Sequence, residues 1–285
     1  MNIDYMRFSI SIFILFSSLY CADNFAIIGP CRTMDNPEYE MRIKASKIIF
    51  SIYSHLNKIG EFPLLDEKTR TQQNFNIPDT WEVTTASHKN LVIRFIMPKR
   101  EEPLSESIRG IKSFTDTLVC DCTAAAEITK HAVMSSLFSD IRVDHIRSVI
   151  IRELGEESLK SEVTKYIYDD FSSVGYIYQI QICDFLYIFG HPDYDKYSIG
   201  YGRGENVFCI GFKGVDILCV GFGPLFKDGP KTIEQIQESL AQNYAEVSPE
   251  KNVEEALAII KQQPLLRRAF AFERIQRALT NPSRK

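Results

Sequence analysis

The sequence predicts an α+β protein, in which helices and an antiparallel sheet come from separate stretches of the chain. Residues 37–59 place apolar side chains three or four positions apart, which is the spacing of one helix face. Residues 205–223 are rich in aromatic and β-branched side chains and predict two strands joined by a short turn. Residues 231–243 and 251–277 return to helical spacing, so helices follow these strands.

The segments between these elements complete the predicted order. Residues 61–79 are polar and predict a loop. A hairpin with strands over 81–85 and 91–97 is predicted next, and residues 98–106, charged and with prolines, predict a surface connection. Further along, the pattern predicts helix over 124–138 and 144–171 and strand over 174–189.

The composition indicates a globular protein rather than one that binds nucleic acid or spans a membrane. Of the 285 residues, 45% are hydrophobic and 25% are charged. The net charge of −4 and the pI near 5.8 provide no basic field, so nucleic acid is not expected as a partner. No stretch reaches the roughly 18 consecutive apolar residues of a membrane-spanning helix, and no span is predicted.

The N-terminus has the pattern of a secretory signal peptide. Arg7 precedes an apolar stretch from Phe8 to Tyr20, which has the length of a signal peptide's apolar region. We therefore expect residues 1–21 to be removed, residues 22–285 to form a single domain, and the protein to be secreted, periplasmic or in the cell envelope. The alternatives are a buried core helix and a lipoprotein acylated at Cys21.

The chain contains seven cysteines, and export would allow some of them to pair. Removal of Cys21 leaves six. Four of these lie within apolar runs, where cysteine often serves as a small buried hydrophobic residue: Cys120, Cys183, Cys209 and Cys219. We therefore predict a mostly reduced protein.

Cys122 lies where an extended apolar segment meets a predicted helix. A helix N-terminus presents free N–H groups and the positive end of the helix dipole, and both stabilise a thiolate. The alanines at 124–126 allow that helix to pack closely on a sheet. Asp121 is suited to cap the same helix. The pattern indicates either a nucleophilic thiol or a buried structural cysteine, and the local sequence alone does not decide between them.

A series of motifs around Cys122 resembles one enzyme family. The string from Cys120 to Ala125 (Cys-Asp-Cys-Thr-Ala-Ala) resembles the Phe-Glu-Cys-Ala-Thr-Ala motif around the nucleophile of the bacterial spore-coat type of protein-glutamine gamma-glutamyltransferase, or transglutaminase. Other resembling segments follow in the same order over roughly residues 38–275: Trp81-Glu-Val, Met97-Pro98, Ile108-Arg-Gly-Ile111, Asp184-Phe-Leu-Tyr187, Pro192-Asp-Tyr-Asp195 and Arg203-Gly-Glu-Asn-Val207.

This resemblance implies a thiol enzyme of papain-like or NlpC/P60-like fold, with the catalytic cysteine at the N-terminus of a helix packed on an antiparallel sheet and with no metal or cofactor. It implies that Cys122 attacks the carboxamide of a protein glutamine and that a lysine amine then takes the acyl group. Asp121 and Glu205 correspond to the acidic residues that the family uses beside the nucleophile. The expected partners are proteins bearing glutamine and lysine. From the residues alone, Asp121 can be a helix cap and Glu205 a solvated residue at the start of a strand.

The sequence departs from the family where a catalytic histidine is expected, because Phe222 stands at that position. If Lys213 and Gly214 form a two-residue turn, Glu205 faces Phe222 directly. Among the other histidines, His131 is predicted to point away from Cys122. His191 lies in a loop that either reaches the site or is exposed on the surface.

Three functions therefore stay open on the sequence. The first is a transglutaminase, in which either the cysteine and a carboxylate suffice or the missing histidine weakens the activity. The second is a related thiol hydrolase, either a glutamine deamidase or a peptidase, in which water replaces lysine. The third is a catalytically silent relative.

Overall fold

The computed structural model of the protein describes residues 36–61, 77–88, 91–99, 101–119, 122–138, 150–151, 162–198 and 201–280. The predictions for residues 1–21 and for Asp121 lie outside these ranges. Within them the chain is a mixture of helices and antiparallel strands, as predicted.

The described ranges contain seven α-helices, and the sequence accounts for the start and end of the longest. The longest starts with Asn36 as its cap, since the Asn36 side chain accepts a hydrogen bond from the Glu38 N–H, and it stops at Gly60. The helices are α1 (Pro37–Ile59), α2 (Leu104–Ser113), α3 (Cys122–Leu137), α4 (Glu162–Ile167), α5 (Ile233–Val247), α6 (Val253–Gln262) and α7 (Phe272–Thr280).

The described strands form a central sheet and two smaller ones. The strands are β1 (Gly60–Glu61), β2 (Trp81–His88), β3 (Leu91–Pro98), β4 (Leu118–Val119), β5 (Ile150–Ile151), β6 (Ser172–Ser173), β7 (Phe185–Phe189), β8 (Gly204–Lys213), β9 (Asp216–Val220), β10 (Lys231–Thr232) and β11 (Leu265–Arg268). The central sheet has six strands in the order β10-β9-β8-β7-β11-β6, with antiparallel neighbours throughout. The others are β2-β3-β5 and the parallel pair β1-β4.

The helix that begins with Cys122 packs beside the first helix, and both lie against the central sheet. Helix α3 contacts α1, and both helices contact β8. The three alanines at 124–126 are buried, as their small size allows. On the sheet, the Phe185 ring of β7 lies under the Lys130 ammonium of α3, 4.0 Å from ring centroid to Nζ. This contact identifies the side of β7 that faces α3.

A buried carboxylate fixes the start of β7. Asp184 is fully buried, and its Oδ1 accepts hydrogen bonds from Arg42 Nη1 at 3.0 Å and from the Phe270 N–H at 3.1 Å. Its Oδ2 lies 2.8 Å from Arg267 Nε and accepts a hydrogen bond from the Gln181 N–H. One carboxylate thus connects α1, β7 and β11, and it holds in place the strand that carries Tyr187.

The predictions for α1, for the 81–97 hairpin and for α3 are confirmed, whereas several other elements differ. The surface connection predicted over 98–106 is shorter than expected, because α2 begins at Leu104. Within the predicted helix over 144–171, the described residues form strand β5, the short helix α4 and, from Tyr168, non-helical chain. The predicted strand over 174–189 is confined to β7 and is preceded by a 3-10 turn at 177–179.

The predicted helix over 251–277 is two helices with a strand between them. Pro264 stands where helix α6 has just ended, and proline restricts the preceding residue to extended backbone. Gln263 accordingly has φ −67° and ψ 146°. Strand β11 then pairs with β7, which extends the central sheet.

The turn between β8 and β9 is shifted by one residue from the prediction. Lys213 pairs with Asp216, so Gly214 and Val215 form the turn, with Gly214 at φ 64°. A β-bulge then occurs between Cys209 and Gly211, which adds one residue to β8.

Candidate active site

Cys122 occupies the position that the sequence predicted for a reactive thiol. It is the first residue of α3 and is partly exposed, and its sulfur is not in a disulfide. Because the first N–H groups of a helix have no partner within the helix, this position favours the ionised form of a thiol. The arrangement meets two requirements for a nucleophile, which are access from solvent and a favourable electrostatic environment.

Tyr187 lies on the side of the sheet that faces α3. Side chains alternate along a strand, so Tyr187 shares its side with Phe185, over which Lys130 of α3 lies. Tyr187 pairs with Asn206 of β8, which places Asn206 on the same side. The Tyr187 hydroxyl donates a hydrogen bond of 3.4 Å to the Arg203 carbonyl.

Gly204 allows this close approach of the Tyr187 ring. A Cβ atom at position 204 would lie 2.7 Å from the Tyr187 hydroxyl and 2.6 Å from the Ile188 carbonyl oxygen. Gly204 also has φ 150°, which residues with side chains rarely adopt. The glycine of the Arg-Gly-Glu-Asn-Val segment therefore has a steric role directly beside Glu205.

Glu205 is a buried carboxyl group with a strongly altered proton affinity. Its side chain is 7% exposed, and burial raises the pKa of Glu205 from 4.5 to about 8. Desolvation penalises the charged form of a carboxyl group, which explains the direction of the change. Glu205 is therefore mostly protonated at neutral pH, and it is not the solvated strand residue that was the alternative.

The pKa of Tyr187 relates Glu205 to Cys122. Burial is the largest cause that raises the pKa of the Tyr187 phenol, and the negative charges of Glu205 and Cys122 raise it further. A charge acts on a titrating group in this way only when it lies nearby. Glu205 pairs with Ile188 at the start of β8, directly after Gly204. Tyr187 thus lies within electrostatic range of both predicted site residues.

The prediction that Glu205 and Phe222 face each other is wrong. Phe208 pairs with Val220, and β9 ends there, so continuing the register would align Phe222 with Asn206. The shifted turn and the β-bulge together cause the difference. Phe222 is buried and its ring lies 6.5 Å from that of Tyr53 on α1, centroid to centroid.

The histidines considered as substitutes lie in other surroundings. His191 is buried and stacks on the Tyr244 ring of α5 at 3.6 Å, and its Nδ1 accepts a hydrogen bond from the Asp193 N–H. Burial lowers the pKa of His191. It is therefore not an exposed loop histidine. His131 is buried in α3, with Nδ1 2.7 Å from the Glu127 carbonyl oxygen.

The sequence predicted Cys122, Asp121 and Glu205 as site residues and assigned no role to Tyr187, which the charges of Cys122 and Glu205 influence. Tyr187 had appeared within a resembling segment, Asp184-Phe-Leu-Tyr187. In the part of the chain that the structure describes, no group of three or more His, Cys, Asp or Glu residues could hold a metal ion. No helix in those ranges is long and apolar enough to cross a membrane.

Comparison with solved structures shows the class of the fold, which is transglutaminase-like. The chain is similar to the transglutaminase from Geobacillus stearothermophilus without its C-terminal extension, with a TM-score of 0.50 and 12% sequence identity. The similarity covers 84% of this chain and 96% of that one. No family model matches the sequence, and no curated protein matches it. A likeness at this identity establishes the fold.

Proposed function

We propose that the protein is a protein-glutamine gamma-glutamyltransferase that joins glutamine and lysine side chains of proteins through a thioester on Cys122. The observation that carries the proposal is a partly exposed thiol on the first residue of a helix, in a chain with a transglutaminase-like fold. The resemblance of the segments around Cys122 and Glu205 to the spore-coat type of this family adds support.

The reaction divides into two acyl transfers. In the first, the Cys122 sulfur forms a bond to the carboxamide carbon of a glutamine, and the carbon–nitrogen bond breaks to release ammonia. In the second, a lysine amine attacks the thioester carbon, the carbon–sulfur bond breaks, and Cys122 leaves as the thiolate. The product is an isopeptide bond.

The raised pKa of Glu205 suits it to supply and recover the proton that these steps need. Protonated Glu205 gives a proton to the departing nitrogen, which leaves as ammonia and leaves a carboxylate behind. That carboxylate then accepts a proton from the lysine nitrogen as the second bond forms. A carboxyl group with a pKa of about 8 changes its charge in the pH range where such a transfer operates. In this scheme the helix N-terminus, rather than Glu205, stabilises the thiolate of Cys122.

Incorporation of a labelled primary amine into a glutamine-rich protein tests the proposal. We expect the purified chain to incorporate the label and to release ammonia at the same rate. Cys122→Ala should abolish both while leaving folding intact. Cys120→Ala is the matched control, because Cys120 is two residues upstream of the helix end, and it should keep the activity. Equal losses in both variants would contradict the assignment of Cys122.

The same measurements distinguish the hydrolase from the transferase. A glutamine deamidase releases ammonia without an amine donor and incorporates little label.

One feature favours a catalytically silent relative. The apolar ring of Phe222 stands where the resembling family has a histidine. Alkylation of Cys122 no faster than that of a free thiol, with no ammonia released, would establish that alternative.

We also propose that the mature enzyme acts outside the cytoplasm. The apolar stretch from Phe8 to Tyr20 supports export. The mass of the native protein tests it, since processing after Cys21 or Ala22 should remove the first residues. A native protein that keeps Met1 or begins at Met6 would contradict export.

A further inference from the structure

Two buried cysteines lie directly opposite each other in the hairpin that carries Glu205. Cys209 of β8 and Cys219 of β9 are partners in the antiparallel register, and neither is exposed to solvent. Both sulfurs are free thiols in this structure. The sequence left pairing of some cysteines open and predicted a mostly reduced protein, but it did not predict this pair.

The hydrogen bonds of Cys209 show which kind of cross-strand pair this is. The Cys209 N–H donates to the Asp184 carbonyl at 2.9 Å, and the Cys209 carbonyl accepts from the Cys183 N–H at 2.7 Å. Both backbone groups of Cys209 therefore point towards the β7 side and away from β9. Cys209 and Cys219 are consequently a non-hydrogen-bonded pair, the type in which side chains are closer together.

Pairs of this type have a spacing that a disulfide can span. Non-hydrogen-bonded partners have Cα atoms about 4.5 Å apart, which lies within the ~4.4–6.8 Å range of natural disulfides. Two partners in direct register also point their side chains to the same side of the sheet. Cys183 is also buried and its backbone contacts Cys209, but its thiol donates a hydrogen bond to the Arg42 carbonyl at 2.8 Å.

We propose that Cys209 and Cys219 form a disulfide when the chain folds in the presence of a disulfide donor. The donor is a small-molecule disulfide such as oxidised glutathione. A thiolate of one cysteine attacks the donor to give a mixed disulfide, and the second cysteine displaces the remaining donor thiol. Overall, two protein thiols are oxidised, one donor disulfide is reduced to two thiols, and the protein loses two hydrogens.

Burial determines when this bond can form. Burial raises the pKa of both thiols, and for Cys209 the neighbouring Cys219 adds to the effect. Thiol–disulfide exchange requires a thiolate, so the folded dithiol should react slowly even with excess donor. The bond should therefore form during folding, and once formed it should be protected from reductants. The disulfide would join β8, which carries Glu205, to β9.

Tryptic digestion gives a direct test, because Lys213 lies between the two cysteines. Cleavage after Arg203, Lys213 and Lys227 puts Cys209 and Cys219 on separate peptides, 204–213 and 214–227. The full chain is unfolded with reductant, refolded with oxidised glutathione, alkylated and digested. We expect the two peptides to appear as one linked species, about 2 Da lighter than their sum. We also expect the melting temperature to be about 5 °C above that of reduced protein.

Variants separate this pair from the other cysteines. Cys209→Ser and Cys219→Ser should each abolish the linked species and the rise in melting temperature. Cys183→Ser is the matched control, because Cys183 is equally buried beside Cys209, and it should keep both. Full alkylation of peptides 204–213 and 214–227 after oxidative refolding would overturn the proposal, as would a link from Cys209 to Cys183. The result is independent of the proposed transferase activity.

Discussion

The buried carboxyl group of Glu205 should make the stability of the protein depend on pH. Burial raises the pKa of Glu205 from 4.5 to about 8 in the folded chain. An unfolded chain releases this proton at about the ordinary pKa, whereas the folded chain keeps it up to about pH 8. Unfolding between these pH values releases a proton, so the free energy of unfolding falls as pH rises. Above about pH 8 both states are ionised and the fall ends.

The size of the effect follows from the same interval. A proton released on unfolding lowers the free energy of unfolding by about 1.4 kcal/mol for each pH unit. From about pH 5 to about pH 8, wild-type protein should lose about 3 kcal/mol through Glu205. Glu205→Gln keeps the size of the side chain and removes the titrating group. The variant should therefore gain about 3 kcal/mol relative to wild type over this range.

Urea unfolding at several pH values measures the effect directly. Glu238→Gln is a matched control, because Glu238 is exposed on α5 and the chemical change is the same. The control should follow the wild-type curve throughout. If the free energy of unfolding instead changes with pH equally in wild type and Glu205→Gln, Glu205 is ionised in the folded protein at neutral pH. Burial would then not keep Glu205 protonated.

Three further substitutions test the site and its support. Tyr187→Phe keeps the ring and removes the hydroxyl, so the rate of ammonia release should fall about tenfold with KM nearly unchanged. An unchanged kcat would exclude the hydroxyl from the reaction. Phe222→His should raise the rate near pH 7, because an imidazole with a pKa of about 6.5 can take the thiol proton; an unchanged pH profile would place residue 222 outside the site. Asp184→Asn should lower the free energy of unfolding by about 3 kcal/mol, because the buried Arg42 loses one of its ion-pair partners. A loss under about 1 kcal/mol in urea unfolding would show that Asp184 does not stabilise the fold in this way.

The sequence predicted those elements whose residues determine them locally. Helix α1 has a capping asparagine, an apolar face and a terminal glycine, and its predicted bounds agree with the structure. Helix α2 was missed although Leu104, Ile108 and Ile111 have helical spacing, since the prolines and charges before it dominated the pattern. Strand β11 was missed because its paired residues are Leu and Arg, which are common in helices, and its pairing partner β7 is distant in sequence.

The candidate site was predictable at Cys122 and less so beyond it. A helix junction is local, so the position of the thiol could be read from the residues around it. The burial of Glu205 depends on segments distant in the sequence, and no local pattern reports it. The error at Phe222 came from a turn displaced by one residue together with one bulge residue. Such one-residue changes alter which side chains meet, yet they leave the hydrophobic pattern of both strands intact.

The pH dependence of turnover should depend on the ionisation of both the Cys122 thiol and the Glu205 carboxyl group. Alkylation of Cys122 needs the thiolate alone, so its rate should rise with pH until the thiol is ionised and then stay constant, in both wild type and Glu205→Gln. Release of ammonia also needs a proton from Glu205, and that proton is lost above about pH 8. Wild-type turnover should therefore rise, reach a maximum and fall above about pH 8, whereas the alkylation rate should not fall. Measuring both rates on the same preparations separates the two requirements. If turnover follows alkylation without a maximum, Glu205 does not supply the proton, and a different donor must act on the departing nitrogen.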